Sequence, residues 1–208
     1  MHYVIDSYEN YKEENRLTTN NARKIEFIIT TKILDELIPS KCKILDCAAG
    51  TGVYAFWLAE KGHDVTATDI TPRHVNIMNQ TLAKTKHSMR TAVLDATDMS
   101  VFEDETFDVV LNMGPFYHLI TEEQREKCFW TDTYYSSKEE MEAVYNRHKL
   151  KIVDHFAQDG LAPLLHEKVD GWNEEQFKIW CDYHYSICRE NSVLGSSNHV
   201  VIIGEKFA

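Results

Sequence analysis

The strongest constraint in this chain is a turn of small residues, Cys47-Ala-Ala-Gly-Thr-Gly52. Before it, Cys42-Lys-Ile-Leu-Asp46 reads as a short strand. After it, Val53 to Lys61 reads as a helix, and Gly62 suits its C-terminal cap. A strand that passes into a helix through Ala48-x-Gly50-x-Gly52 is a nucleotide-binding turn, because glycine lets the backbone approach a ligand closely. A loose glycine pattern says little by itself; the elements around it carry the reading.

Those elements alternate. His63 to Asp69 has the periodicity of a half-buried strand and ends on an acid. Thr71-Pro72 opens a helix, with Pro at its favoured first position. Arg90 to Leu94 is a third strand ending at Asp95, and Phe107 to Asn112 a fourth. Upstream, Asn20 or Asn21 caps a helix running to about Ile38, with Ile25, Ile28, Ile29, Ile33 and Leu37 at helical spacing and Pro39 as its stop. Strands alternating with helices predict an α/β fold with a mostly parallel, doubly wound sheet and helices on both faces. Right-handed crossovers place the strand C-terminal ends along one edge, where ligands bind. Asp46, Asp69, Asp95 and Asn112 all fall at such ends. Asp69 follows Gly52 by 17 residues, where a carboxylate can accept hydrogen bonds from both ribose hydroxyls.

At Ile44 to Gly52 the sequence resembles the class I S-adenosylmethionine-dependent methyltransferases. The resemblance continues at His63 to Asp69, Val93 to Ala96 and Phe107 to Gly114, and so covers about residues 42–120. It implies a Rossmann-like fold with an antiparallel last strand and an N-terminal helical cap. It also implies S-adenosyl-L-methionine as cofactor. Asp46 would contact the amino acid end of the cofactor, and Ala48, Gly50 and Gly52 would shape the loop beneath it. Asp69 would hold the ribose hydroxyls, Ile70 would pack on adenine, and Asp95 with the Ala96 N–H would read the adenine edge. Asn112 and Met113 would lie near the sulfonium. Tyr11 and Arg16, in the polar arm, would fold over the cofactor, with Arg16 pairing its carboxylate, a solvated arm being the equal alternative. Ala48 stands where the family has its first glycine.

The second half is less regular. Thr121 and Gln124 form a capping box for a helix to Cys128, and Ser137 and Glu140 form another for a helix to about Arg147. Lys149 to Phe156 is a strand, Asn173 and Gln176 cap a further helix, and His199 to Glu205 is the last strand. The family's Pro-Gly-Gly turn and fifth strand have no counterpart. A sheet without that central strand would leave ladder groups unpaired. The expectation is a single domain, 1–208, divided into an arm and helix (1–39), a cofactor half (40–120) and an acceptor half (121–208). A segment of a few tens of residues is expected to be missing between Cys128 and Phe129.

Tyr117 and His118, just after the fourth strand, are the candidate catalytic residues, His118 as a general base titrating near neutrality. A histidine bonded to backbone is the plainer alternative. Cys181, His184 and Cys188 share a helical face with Phe177 and Trp180 and read as an interior stripe; without a fourth ligand no metal site is expected. The net charge of −11 weighs against nucleic acid as a partner, and no apolar run approaches the ~20 residues of a membrane span. The expected partner is a small-molecule methyl acceptor and the expected location cytoplasmic, with five cysteines read as reduced thiols. Two other functions compete: a nicotinamide-dependent oxidoreductase, disfavoured because the turn is not Gly-x-Gly-x-x-Gly, and a cofactor-binding regulatory protein without catalysis.

Overall fold

Each βα step predicted from the alternation forms close to its expected bounds in the computed structural model, which describes residues 14, 16–114 and 136–206. Contacts divide the chain into two compact units, Met1–Glu14 with Ile38–Tyr135, and Asn15–Leu37 with Ser136–Ala208.

In the first unit, β1 (Lys43–Cys47) leads into helix α2 (Val53–Glu60), and β2 (Asp64–Asp69) into helix α3 (Pro72–Leu82). Strands β3 (Arg90–Val93) and β4 (Val109–Leu111) follow. The sheet order is β3-β2-β1-β4, and every pairing is parallel. Ile44, Leu45, Val65 and Ala67 are buried, as expected where helices cover a parallel sheet. The register sets Asp46 opposite Ala67 on one side and Leu111 on the other, and Asp69 opposite Val93. The start of β4 is pinned to β1 twice: Lys43 N–H donates to Asp108 Oδ2 at 2.7 Å, and Asp108 N–H to Lys43 O at 2.9 Å. Among the described residues, β4 has β1 as its one strand neighbour.

The second unit contains α1 (Asn21–Leu37), α4 (Lys138–Arg147), β5 (Leu150–Ala157), the short α5 (His166–Asp170), α6 (Glu174–Ile187), α7 (Asn191–Leu194) and β6 (Val200–Lys206). The stripe Ile25, Ile29 and Ile33 of α1 packs with Phe156, Val169, Phe177, Cys181 and Cys188 into one core. The expected N-terminal cap helix is therefore a core element of this unit. Two of the three capping pairs foreseen from sequence form, Ser137 with Glu140 at α4 and Asn173 with Gln176 at α6, and the third, Thr121 with Gln124, lies outside the described residues. Strands β5 and β6 are antiparallel, with a register shift between Ile152 and Asp154.

The fold is thus α/β with a mostly parallel sheet, and its last strand is antiparallel. It differs from the expected single sheet in one respect: β5 and β6 make a separate two-stranded sheet. No strand among the described residues bonds both to β4 and to the β5–β6 pair. The expected helix from Thr121 to Cys128 and the interruption between Cys128 and Phe129 lie outside the described residues. Among the described residues, no helix is long and apolar enough to cross a membrane.

Candidate functional site

The turn after β1 is built from left-handed backbone. Ala48 sits at φ 57°, Gly50 at φ 57° and Gly52 at φ 85°. Gly52 is required twice over. It is the left-handed N-cap of α2, and a Cβ there would lie 2.9 Å from Met78 Sδ. Ala48 carries the same backbone with a methyl group, a strain of about 1–2 kcal/mol. The loop is tied to β2 through Ala49 N–H to Thr68 O at 2.8 Å. On its other side, a Cβ built on Gly114 would lie 3.7 Å from Ala48 O, so the chain leaving β4 passes against the same loop.

Two carboxylates occupy this rim. Asp46, the penultimate residue of β1, is 3% exposed, and its buried Oδ2 has no hydrogen-bond partner. Burial first, then repulsion from Asp69, push its pKa from 3.8 to about 7, against the pull of the Ala55 N–H. Asp69, the last residue of β2, is also buried. Its Oδ2 accepts from Gly50 N–H at 2.8 Å, and its Oδ1 from Thr71 N–H at 2.8 Å. His74 Nδ1 lies 3.1 Å from the same Oδ1. The second carboxylate thus links the glycine turn to the start of α3.

The remaining cofactor candidates line the strand ends. Ile70 follows Asp69 and is half-buried. Asp95 Oδ1 accepts from Thr97 N–H and Thr97 Oγ at 3.0 and 2.8 Å, so one oxygen of Asp95 caps its own turn. Ala96 and Met113 are half-buried, and Asn112 is exposed just past β4. The structure therefore brings Asp46, Ala48, Gly50, Gly52 and Asp69 around one loop, with Ile70, Asp95, Ala96, Asn112 and Met113 along the same strand ends. Tyr11, Tyr117 and His118 lie outside the described residues. Arg16 belongs to the second unit, where its guanidinium grips both oxygens of buried Glu26 at 2.7 and 2.8 Å.

His74 escaped the sequence reading. A lone histidine in a helix carries no pattern; only its place, five residues past the rim acid, hinted at a contact. A second polar cluster, in the second unit, escaped as well. Asp159 accepts from His199 Nδ1 at 2.7 Å, from Ser197 Oγ, and from the N–H groups of Asn198 and His199. Burial opposes its charge, but the bonds from His199 and Ser197 outweigh that and hold its carboxyl below the ordinary value. Cys181, His184 and Cys188 do form an interior stripe: all three are buried, and His184 Nε2 meets Ala157 O at 3.1 Å. Burial pushes the Cys181 thiol up to about 11, which leaves it protonated and inert.

A parallel sheet of β3-β2-β1-β4 order, with a glycine turn after β1 and an acid closing β2, is a Rossmann-like arrangement. Residues 44–131 match the family model described as a methyltransferase domain. Among solved structures, the [4+2]-cyclase SpnF aligns with TM-score 0.61 and 11% identity, over 87% of this chain and 80% of that one. The N-methyltransferase NodS from Bradyrhizobium japonicum, in complex with S-adenosylhomocysteine, aligns with TM-score 0.57 and 14% identity, over 74% and 87%. The 1,6-didemethyltoxoflavin-N1-methyltransferase of Burkholderia thailandensis aligns with TM-score 0.54 and 15% identity, over 76% and 79%. At these identities the likeness shows the fold. The chain spans about half, 52%, of another matching structure, a protein from Pyrococcus horikoshii OT3. No curated protein matches the chain.

Proposed function

We propose that the protein binds S-adenosyl-L-methionine at the rim of its parallel sheet and transfers the methyl group to a small molecule. The observation that carries this is the pair of buried carboxylates flanking the glycine turn. Asp46 Oδ2 is buried without a partner, and a carboxylate in that state is stabilised by a cation. The ammonium of the cofactor's amino acid end fits that need. Asp69 has one acceptor position left on Oδ2 for a ribose hydroxyl, since a carboxylate accepts about four bonds and three are filled. The small residues Ala48, Gly50 and Gly52 leave the backbone open to close approach. When bound, the cofactor supplies a sulfonium-activated methyl group, and its transfer to a nucleophile leaves S-adenosylhomocysteine. The chain's part is to bind and orient, which supplies much of the rate in such reactions.

Charge, which argues only against nucleic acid, and precedent support a small-molecule acceptor within this reading. A net charge of −11 opposes phosphate backbones. The Burkholderia thailandensis structure holds 1,6-didemethyltoxoflavin beside S-adenosylhomocysteine. A cytoplasmic site of action completes the proposal. Isothermal titration with S-adenosylhomocysteine and with NAD tests the cofactor: binding of the first and not the second is expected, and the reverse refutes the reading. Asp69→Ala should weaken binding by roughly 1–3 kcal/mol, the scale for hydrogen bonds to a charged group.

A second reading is cofactor binding without methyl transfer. It is favoured by the use of a similar fold in the [4+2]-cyclase SpnF. Incubation with methyl-labelled cofactor and a metabolite extract separates the two. Labelled product supports the transferase; firm binding with no labelled product supports the second reading.

A further inference from the structure

The imidazole of His74 is 2% exposed, on the inner face of α3, whose other buried residues Val75 and Met78 are apolar. Packing alone would be met by another apolar side chain, without the cost of burying a polar ring. What the ring adds is a contact: Nδ1 stands 3.1 Å from Asp69 Oδ1. Facing a carboxylate oxygen, Nδ1 must carry a hydrogen and donate it. Thr71 N–H donates to the same Oδ1 at 2.8 Å. Both acceptor positions of Oδ1 are then filled from α3, and Oδ2 is left to Gly50 N–H, at 2.8 Å, with one position open. The turn that carries His74 is itself fixed: His74 N–H donates to Thr71 O at 3.0 Å, and the neighbouring Arg73 pairs with Glu14 at 2.6 Å.

We propose that His74 is a positioning residue for cofactor binding: it holds Oδ1 of Asp69 so that the carboxylate presents only Oδ2 to the ribose and to the glycine turn. This rests on the cofactor reading above. Its consequence is that the ribose is gripped through one oxygen of a fixed carboxylate. Loss of the imidazole donor frees the carboxylate to turn about its side-chain bonds, and both the ribose contact and the Gly50 contact loosen together.

The test is a double-mutant cycle read by calorimetry with S-adenosylhomocysteine. The single variants are His74→Leu and Asp69→Asn, and the double variant combines them. His74→Leu is expected to bind about tenfold more weakly than the parent, the scale of one hydrogen bond to a charged group. In the Asp69→Asn background the same change should cost less than about twofold, because the group it positions is gone. His74→Asn, whose amide donates from near the Nδ1 position, should bind within about threefold of the parent. In the ligand-free protein, the Gly50 amide proton resonance should shift in His74→Leu and stay in place in His74→Asn. Equal affinity of His74→Leu and parent overturns the proposal, as does an equal loss in both backgrounds. If His74→Leu does not fold, His74→Gln takes its place; its amide sits nearer Nε2, so it should bind weakly where His74→Asn binds well, and equal binding by the two overturns the proposal. A parent that binds no S-adenosylhomocysteine overturns the cofactor reading and this proposal together, whereas a parent that binds while the variants match it overturns this proposal alone.

Discussion

Replacing Asp46 with Asn removes a costly buried charge from the first unit. Unfolded, the Asp46 carboxyl releases its proton around pH 3.8; folded, around pH 7. Between those values the native state holds a proton that the unfolded state has released. Native stability therefore falls as pH rises through that window, and the full cost is present above about pH 7. The interval corresponds to about 4 kcal/mol. Asn is neutral throughout and its Oδ1 can still accept from the Ala55 N–H. Its amide NH2, however, replaces the partnerless Oδ2 and leaves a buried donor unmet, at about 1–2 kcal/mol. The variant should thus be more stable than the parent by about 2–3 kcal/mol at pH 8, or about 4–12 °C in Tm for a chain of this size. At pH 5 the parent has lost only about 1–2 kcal/mol of this, which the unmet Asn donor offsets, so the two should be level within about 1 kcal/mol. Thermal melts followed by circular dichroism at the two pH values, at constant ionic strength and without ligand, measure both. A difference that does not change between pH 5 and pH 8 refutes the reasoning. Binding should move the other way: at pH 8 the variant that gains stability should lose affinity for S-adenosylhomocysteine, because the group that meets the ammonium no longer carries charge.

Gly52→Ala should destabilise the first unit by about 1–3 kcal/mol, since it adds left-handed strain to a Cβ contact with Met78; urea unfolding of Gly52→Ala with and without Met78→Ala should show only partial rescue. Asn173→Ala removes the capping box of α6 and should cost about 1 kcal/mol, read as a lower urea midpoint. His199 and Asp159 give the second unit opposite pH limits. Burial opposes the charge on His199, but the Asp159 bond prevails and raises its pKa above 6.5, so its contribution is complete below 6.5 and lost as pH rises through the folded value. The lowered Asp159 contributes above 3.8, and that is lost as pH falls through its folded value. His199→Gln should flatten the alkaline limb of the stability profile, and an unchanged limb would show that the pair contributes nothing there.

What sequence made legible was what repeats or caps locally. The strand ends Asp46 and Asp69, the Gly52 turn, and the boxes at Ser137 and Asn173 depend on neighbours within a few residues, and they formed near where they were expected. What escaped depends on partners far along the chain. Asp159 is held from Ser197 to His199, and Gln158 reaches Thr30 across 128 residues at 2.7 Å. The short helices α5 and α7 carry too few turns for a periodicity. The positions of the strands along the chain, and their parallel run, were readable through β4. Beyond it, the antiparallel pair β5–β6 was readable as two strands, but nothing in either segment said which neighbour each would pair with.

The brevity of β4 has a consequence for the molecule in a crowded solution. It ends the described part of the parallel sheet with three residues, and Val110 at its middle is 57% exposed. The margin of a sheet is a template on which a strand from another molecule can add, and long flat margins grow into aggregates. Three residues offer such a guest only a few ladder bonds. The same Asp108 that pins β4 to Lys43 also stands as a charge at its entrance. Among the described residues, the β4 margin of the sheet thus offers a guest strand only a short template.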